Sequence, residues 1–303
     1  MTLDLSVNLG PLQLNTPLVA ASGTVGSVWE FDRVLHAGDY GAMIAKSVSE
    51  EPWSGRPAPR LAPAGLGMLN GIGIQNPGME GWARDTAPRL RTVGSPVWGS
   101  AVGRSPEEFG RVASGLEDTG AVRAIEVNLS CPNLEDGRMF ALDPQRSAAV
   151  VSTVREATTL PIGAKLSPDA GDIVTVAGAC HEAGADWVTL TNTISGFGLD
   201  IERRRPLLSG GVGGYSGPPL KPIALRCVTE VAAAHPRLPI LGCGGVMRGE
   251  DVIEYLMAGA SAVSLGTVHF AEPRAARRIL GELARWCARH DVERLADLTA
   301  TVE

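Results

Sequence analysis

A thiol set between two carboxamides is the most chemically suggestive feature of this 303-residue chain: Asn128-Leu129-Ser130-Cys131-Pro132-Asn133. A free thiol titrates near pH 8.5, at roughly the edge of usefulness at neutral pH. A site that favours the thiolate, or couples proton loss to the departure of a hydride, makes Cys131 a competent base. The bland reading is a plain buried thiol. Against it stands the polar loop at residues 133–142, where Gly137 lets the segment open and close over a ligand. Each carboxamide supplies donors and an acceptor. Asn70, Asn128, Asn133 and Asn192 together match a planar ring of alternating carbonyl and N–H groups, the pattern of a pyrimidine. A single asparagine is usually a turn residue, so the reading rests on the set.

Lys165 ends an apolar run. A buried lysine is costly without an anionic partner. A reduced flavin carrying negative charge is one such partner; a Schiff-base role is the rival. Gly242-Cys243-Gly244-Gly245 and Gly266-Thr267 present bare backbone amides that suit a phosphate, although glycines there also simply permit tight turns. The other cysteines, Cys180, Cys227, Cys243 and Cys287, read as structural, and with Cys131 they match no zinc or iron–sulfur spacing. The histidines are scattered, and no metal is expected.

These residues lie far apart in sequence, so a scaffold must gather them. Eight short apolar runs, at 18–21, 42–45, 97–101, 124–127, 162–164, 187–190, 240–241 and 262–265, read as buried parallel strands. Helical periodicity fills the intervals. Ser105-Pro106-Glu107-Glu108 is a capping box, and Asp143-Pro144 repeats the cap-then-proline start. The alternation predicts an α/β chain folded as one (β/α)8 TIM barrel over residues 1–303. An open doubly wound sheet would want a glycine fingerprint after its first strand, where this chain has Ala21-Ser22-Gly23-Thr24. The strand ends carry Ser22, Lys46-Ser47, Ser100, Asn128, Lys165, Asn192-Thr193, Gly244-Gly245 and Gly266-Thr267, which a barrel assembles around one mouth. Long segments at 48–81 and 194–219 are predicted insertions at that C-terminal face, and residues 5–14 a hairpin plugging the opposite end.

Composition narrows the function. With 33 acidic against 27 basic residues and no basic stripe, a nucleic-acid partner is not expected. The arginines at 203–205 read as a solvated loop. The start, MTLDLSVNLG, has no signal-peptide character, and no apolar run is long enough for a membrane helix, so a cytoplasmic protein is expected.

The same stretches carry a family resemblance. Ala45-Lys46-Ser47, Asn70-Gly71-Ile72-Gly73-Ile74-Gln75-Asn76-Pro77-Gly78, Asn128 to Asn133, Ala164-Lys165-Leu166-Ser167-Pro168, Thr191-Asn192-Thr193, Ser216-Gly217-Pro218, Gly244-Gly245 and Gly266-Thr267 occur in the motif order of the class 1 dihydroorotate dehydrogenases, which the chain resembles over essentially its whole length. The Ile74-to-Gly78 run, and Ser216-Gly217-Pro218 through Lys221-Pro222-Ile223-Ala224-Leu225, look like subclass 1B rather than the fumarate-using homodimers of 1A. The resemblance implies FMN on this chain and oxidation of dihydroorotate to orotate. It also implies a homodimer core within a heterotetramer, whose iron–sulfur flavoprotein partner carries FAD and a 2Fe-2S cluster and passes electrons to NAD. It makes Cys131 the base, and assigns substrate to Lys46, Asn70, Gly71, Ile72, Gly73, Ile74, Asn128, Asn133, Asn192 and Thr193. FMN falls to Ser22, Lys46, Ser47, Ser100, Asn128, Lys165, Thr191, Gly217, Gly244, Gly245, Gly266 and Thr267. Ser100 departs from the asparagine more usual in 1B chains. Class 2 enzymes differ, with a serine base and an N-terminal membrane segment. A barrel acting on another dihydropyrimidine, a non-redox phosphate-binding barrel using Lys165 and a non-catalytic flavin scaffold are the competing readings.

Overall fold

The computed structural model describes residues 3–130 and 139–302. The strands, in chain order, are β1 (Val7–Leu9), β2 (Leu12–Leu14), β3 (Leu18–Ala20), β4 (Ala42–Ile44), β5 (Leu61–Ala64), β6 (Gly67–Asn70), β7 (Val97–Ala101) and β8 (Ile125–Asn128). They continue with β9 (Ile162–Lys165), β10 (Trp187–Leu190), β11 (Ile194–Gly196), β12 (Leu199–Asp200), β13 (Arg205–Pro206), β14 (Gly213–Ser216), β15 (Ile240–Cys243) and β16 (Ala262–Leu265). Eight of these close into a parallel barrel in the order β10-β15-β16-β3-β4-β7-β8-β9. They are the eight apolar runs, with bounds shifted by a residue or two. Both faces of such strands are covered, by helices outside and side chains within, which is why they are continuously apolar.

Helix starts follow local chemistry. Asp143 Oδ1 accepts from Gln145 N at 2.8 Å and Arg146 N at 3.0 Å, opening Pro144–Ala157. Ser105 Oγ accepts from Glu108 N at the start of Pro106–Asp118, but Glu108 reaches back to Arg104 N rather than to the cap residue itself. The capping box is therefore offset by one residue.

At the barrel's N-terminal end, β1 pairs with β2 antiparallel across a turn at Gly10-Pro11, the hairpin expected over residues 5–14. Val7, Leu9 and Leu14 pack with Val19, Ile44, Trp98, Trp187 and Leu241, closing the floor. Trp98 and Trp187 lie 5.1 Å apart, and a Cβ at Gly163 would fall 2.0 Å from the Trp187 ring. Glycine at 163 makes room for that indole.

At the other end, the two long insertions meet. β5 and β6 from the first and β11 and β14 from the second form one antiparallel sheet in the order β11-β14-β6-β5. The sequence shows two unrelated loops; the fold joins them over the barrel mouth, with β12 and β13 as a separate small ribbon.

Candidate active site

Parallel register aligns the strand ends at one level. Asn128 lies beside Lys165, Lys165 beside Thr189, and Leu190 beside Gly242. A cavity of about 930 Å3 opens above them, lined by Ser22, Lys46, Ser47, Asn70, the turn Gly71 to Ile74, Asn128, Lys165, Thr191, Asn192, Thr193, Gly217, Gly244, Gly245, Gly266 and Thr267. Ligand pockets span roughly 300–1,000 Å3, so this one has room for a cofactor and a substrate together.

The polar lining is a connected set. Asn192 Nδ2 donates to Asn128 Oδ1 at 3.4 Å, Asn128 Nδ2 to Ser47 Oγ at 3.3 Å, and Ser47 Oγ shares a hydrogen bond of 2.9 Å with Ser100 Oγ. Asn70 Nδ2 donates to the Gly214 carbonyl at 3.1 Å, tying β6 to β14 at the roof. Ser22 Oγ donates to the Ala45 carbonyl at 2.8 Å. Ser100 is fully buried, its hydroxyl paired with that of Ser47, and does not line the cavity. Cys131 and Asn133 lie outside the described residues.

Beside Thr191 and Asn192, where β10 adjoins β15, the wall is backbone. Gly244 and Gly245 have φ of +141° and +69°, and a Cβ at Gly245 would stand 2.7 Å from Lys221 N. Only glycine takes this turn without strain. Neighbours hold it: the Tyr255 hydroxyl donates to the Gly244 carbonyl at 2.7 Å, while Asp251 accepts from Met247 N, Arg248 N and Lys221 Nζ. Gly266 has open space where a side chain would stand.

Several lining residues have no ligand role in the sequence reading: Thr24, Ser130 and Cys243, which lie within the quoted stretches, and Arg104 and Asp169, which lie outside them. Arg104 stacks over the Trp53 ring at 5.0 Å, and Asp169 accepts from Ser195 N and Oγ, fastening the second insertion to the loop after β9. Burial pushes the Cys243 thiol up, with the charge of Lys165 pulling the other way, so Cys243 is no thiolate. Glu126 is also missed. It lies at 0% exposure beneath Lys165, itself 5% exposed, with Oε1 3.4 Å from Nζ. Its sequence signal is a charge inside an apolar run, two residues before Asn128 and so on the same strand face.

Fold and site together define a (β/α)8-barrel protein with a cavity at the strand C-termini lined by glycine turns, carboxamides and lysines. The family model described as Dihydroorotate dehydrogenase matches residues 4–286. The chain is 42% identical over 301 residues to the protein of Geobacter sp. (strain M21) named "Dihydroorotate dehydrogenase B (NAD(+)), catalytic subunit", covering 99% of this chain and 98% of that one. It is equally similar, over the same shares, to the like-named protein of Citrifermentans bemidjiense. The fold matches the crystal structure of DHODH in complex with ferulenol from Eimeria tenella at a TM-score of 0.82 and 21% identity, over 98% of this chain and 88% of that one. This chain belongs to the dihydroorotate dehydrogenase family.

The residues present fit FMN, the cofactor implied by this family. Thr191 Oγ1 is buried with no hydrogen-bond partner among the described residues, the glycine cradle is bare, and the donors are amides, hydroxyls and a lysine. No group of three or more His, Cys, Asp or Glu among the described residues could hold a metal ion, and no described helix is long and apolar enough to cross a membrane.

Proposed function

We propose that this chain is the FMN-binding catalytic subunit of an NAD-linked dihydroorotate dehydrogenase, oxidising (S)-dihydroorotate to orotate in de novo pyrimidine (UMP) biosynthesis. The observation that carries the reading is the convergence on one cavity of Lys46, the asparagines, Lys165 and the double-glycine turn. Gly244, Gly245, Gly266 and Thr267 would receive the phosphate on backbone amides, with Ser22, Ser47, Thr191 and Gly217 along the rest of the cofactor. Lys46 supplies a cation for the substrate carboxylate, and Asn70, Asn128, Asn192 and Thr193 pair with the ring edge. Asn133 completes that set in this reading, and Gly71 to Ile74 form the wall against which the ring lies.

The chemistry supplied by bound FMN is acceptance of the hydride that leaves C6 of dihydroorotate. Cys131 takes the proton from C5, so a C–H bond breaks at each carbon and the ring double bond forms between them. Lys165 stabilises the negative charge that arrives with the hydride. The whole chain acts as one catalytic unit in the cytoplasm, as a homodimer core joined to an iron–sulfur flavoprotein whose FAD and 2Fe-2S cluster relay electrons to NAD.

Affinity purification of this chain from its native host tests the reading. The expected result is a complex containing an iron–sulfur flavoprotein that reduces NAD in the presence of dihydroorotate. A free homodimer that passes electrons only to fumarate, or turnover of dihydrouracil and not of dihydroorotate, would overturn it.

A further inference from the structure

Glu126 is a fully buried charge that the chemistry above leaves unused. It projects into the barrel from β8, one step deeper than Asn128, and does not line the cavity, whereas Lys165 does. Three adjacent strands hold it: Glu126 itself on β8, Lys165 on β9 with Nζ 3.4 Å from Oε1, and Thr189 on β10, whose Oγ1 donates to Oε2 at 2.9 Å. Gly163 stands directly across from it in register. Lys165 is anchored on its backbone too, its carbonyl accepting from Ser130 Oγ at 3.0 Å.

A buried ion pair is a poor source of stability, since apolar residues of the same volume usually do as well or better. Its placement here has another consequence. The cation faces the cavity and the anion stands directly behind it. A counter-charge at that position fixes where the ammonium sits and attenuates the field it projects into the cavity, in an interior where charges are weakly screened.

We infer that Glu126 is a positioning residue that holds Lys165 against the flavin and, by offsetting part of its charge, lowers the reduction potential of the bound FMN. The inference rests on the FMN reading of the cavity. Charge beside the ring is one of the means by which a protein tunes a flavin. Without this counter-charge the reduced and more negative flavin would be stabilised further, and electrons would be held rather than passed on.

The test is an equilibrium redox titration of the FMN-loaded full chain, against reference dyes, for wild type, Glu126→Gln and Glu126→Asp, after FMN uptake by each cofactor-free protein has been measured. Glu126→Gln keeps the shape and the hydrogen bond to Thr189 but removes the charge. Its midpoint is expected to rise by the equivalent of roughly a tenfold change in the ratio of reduced to oxidised flavin, about 30 mV for a two-electron couple. Glu126→Asp keeps the charge but draws it back toward its own strand, so a smaller rise is expected; it serves as the test if Glu126→Gln does not fold. A merely structural role would lower the melting temperature and leave the midpoint where it was. That result in both variants, or a fall in midpoint, overturns the inference. A chain that takes up no FMN overturns the cofactor reading itself, and uptake is scored before any potential is read.

Discussion

At the scale of single residues, the loop after β3 shows how a cavity-lining hydroxyl is held from behind by buried groups. The Thr24 hydroxyl donates to the Ala21 carbonyl at 2.8 Å, so its oxygen accepts from His269 Nδ1 at 3.0 Å. That places the ring proton on Nδ1 and leaves Nε2 to accept from the Tyr40 hydroxyl at 2.9 Å. Burial depresses the His269 pKa from 6.5 to about 4. A histidine whose folded pKa lies below its unfolded value binds protons more readily when unfolded, so stability is full above pH 6.5 and is lost as the pH falls toward 4. The shift corresponds to roughly 3 kcal/mol at most. Urea unfolding across that range should show the loss in wild type and a flatter profile in His269→Gln; equal slopes would contradict the assignment. His269 and Glu126 both escaped the sequence reading. A buried polar residue on a helix or strand has no local motif, and its partners are fixed only when the barrel closes.

The turns between strands and helices carry the prediction that belongs to secondary-structure elements. Gly245 and Gly120 both have positive φ, +69° and +61°, but only Gly245 is crowded, with Lys221 N 2.7 Å from where a Cβ would stand; Gly120 has nothing within 4 Å. Gly120→Ala should cost roughly 1 kcal/mol of stability through strain alone and leave FMN affinity untouched. Gly245→Ala should displace the turn against the helix Lys221–Ala234 and weaken FMN binding by roughly tenfold or more, about 1.4 kcal/mol, in fluorescence titration. Equal affinity in the two variants would remove Gly245 from the phosphate cradle. Elements also mark what the sequence hides. The barrel strands were legible because each is a short apolar run between helical segments. The sheet over the mouth was not: Pro63 interrupts β5, glycines open β14, and β6 pairs with a strand far along the chain. Short, half-exposed, glycine-rich strands carry no alternation to read.

At the scale of the whole molecule, the barrel converts sequence order into a ring, so that residues from Ser22 to Thr267 face one cavity. The gathering of these strand-end residues around one cavity was legible for this reason: once eight strands are counted, their C-terminal ends must meet. Ser100 shows the limit of the argument, since a strand-end position does not say whether a hydroxyl faces the cavity or a neighbour. The proposed function assigns barrel, glycine turns, lysine and asparagines to one reaction, the oxidation of dihydroorotate, and proposes Cys131 as its base. Anaerobic addition of dihydroorotate to the FMN-loaded protein, followed through the visible flavin band in wild type, Cys131→Ser and Cys131→Ala, tests that assignment most directly. Bleaching that is prompt in wild type, strongly slowed in Cys131→Ser and nearly abolished in Cys131→Ala is the predicted result; a bound flavin that stays oxidised in wild type, or bleaches as fast in Cys131→Ala, would contradict it.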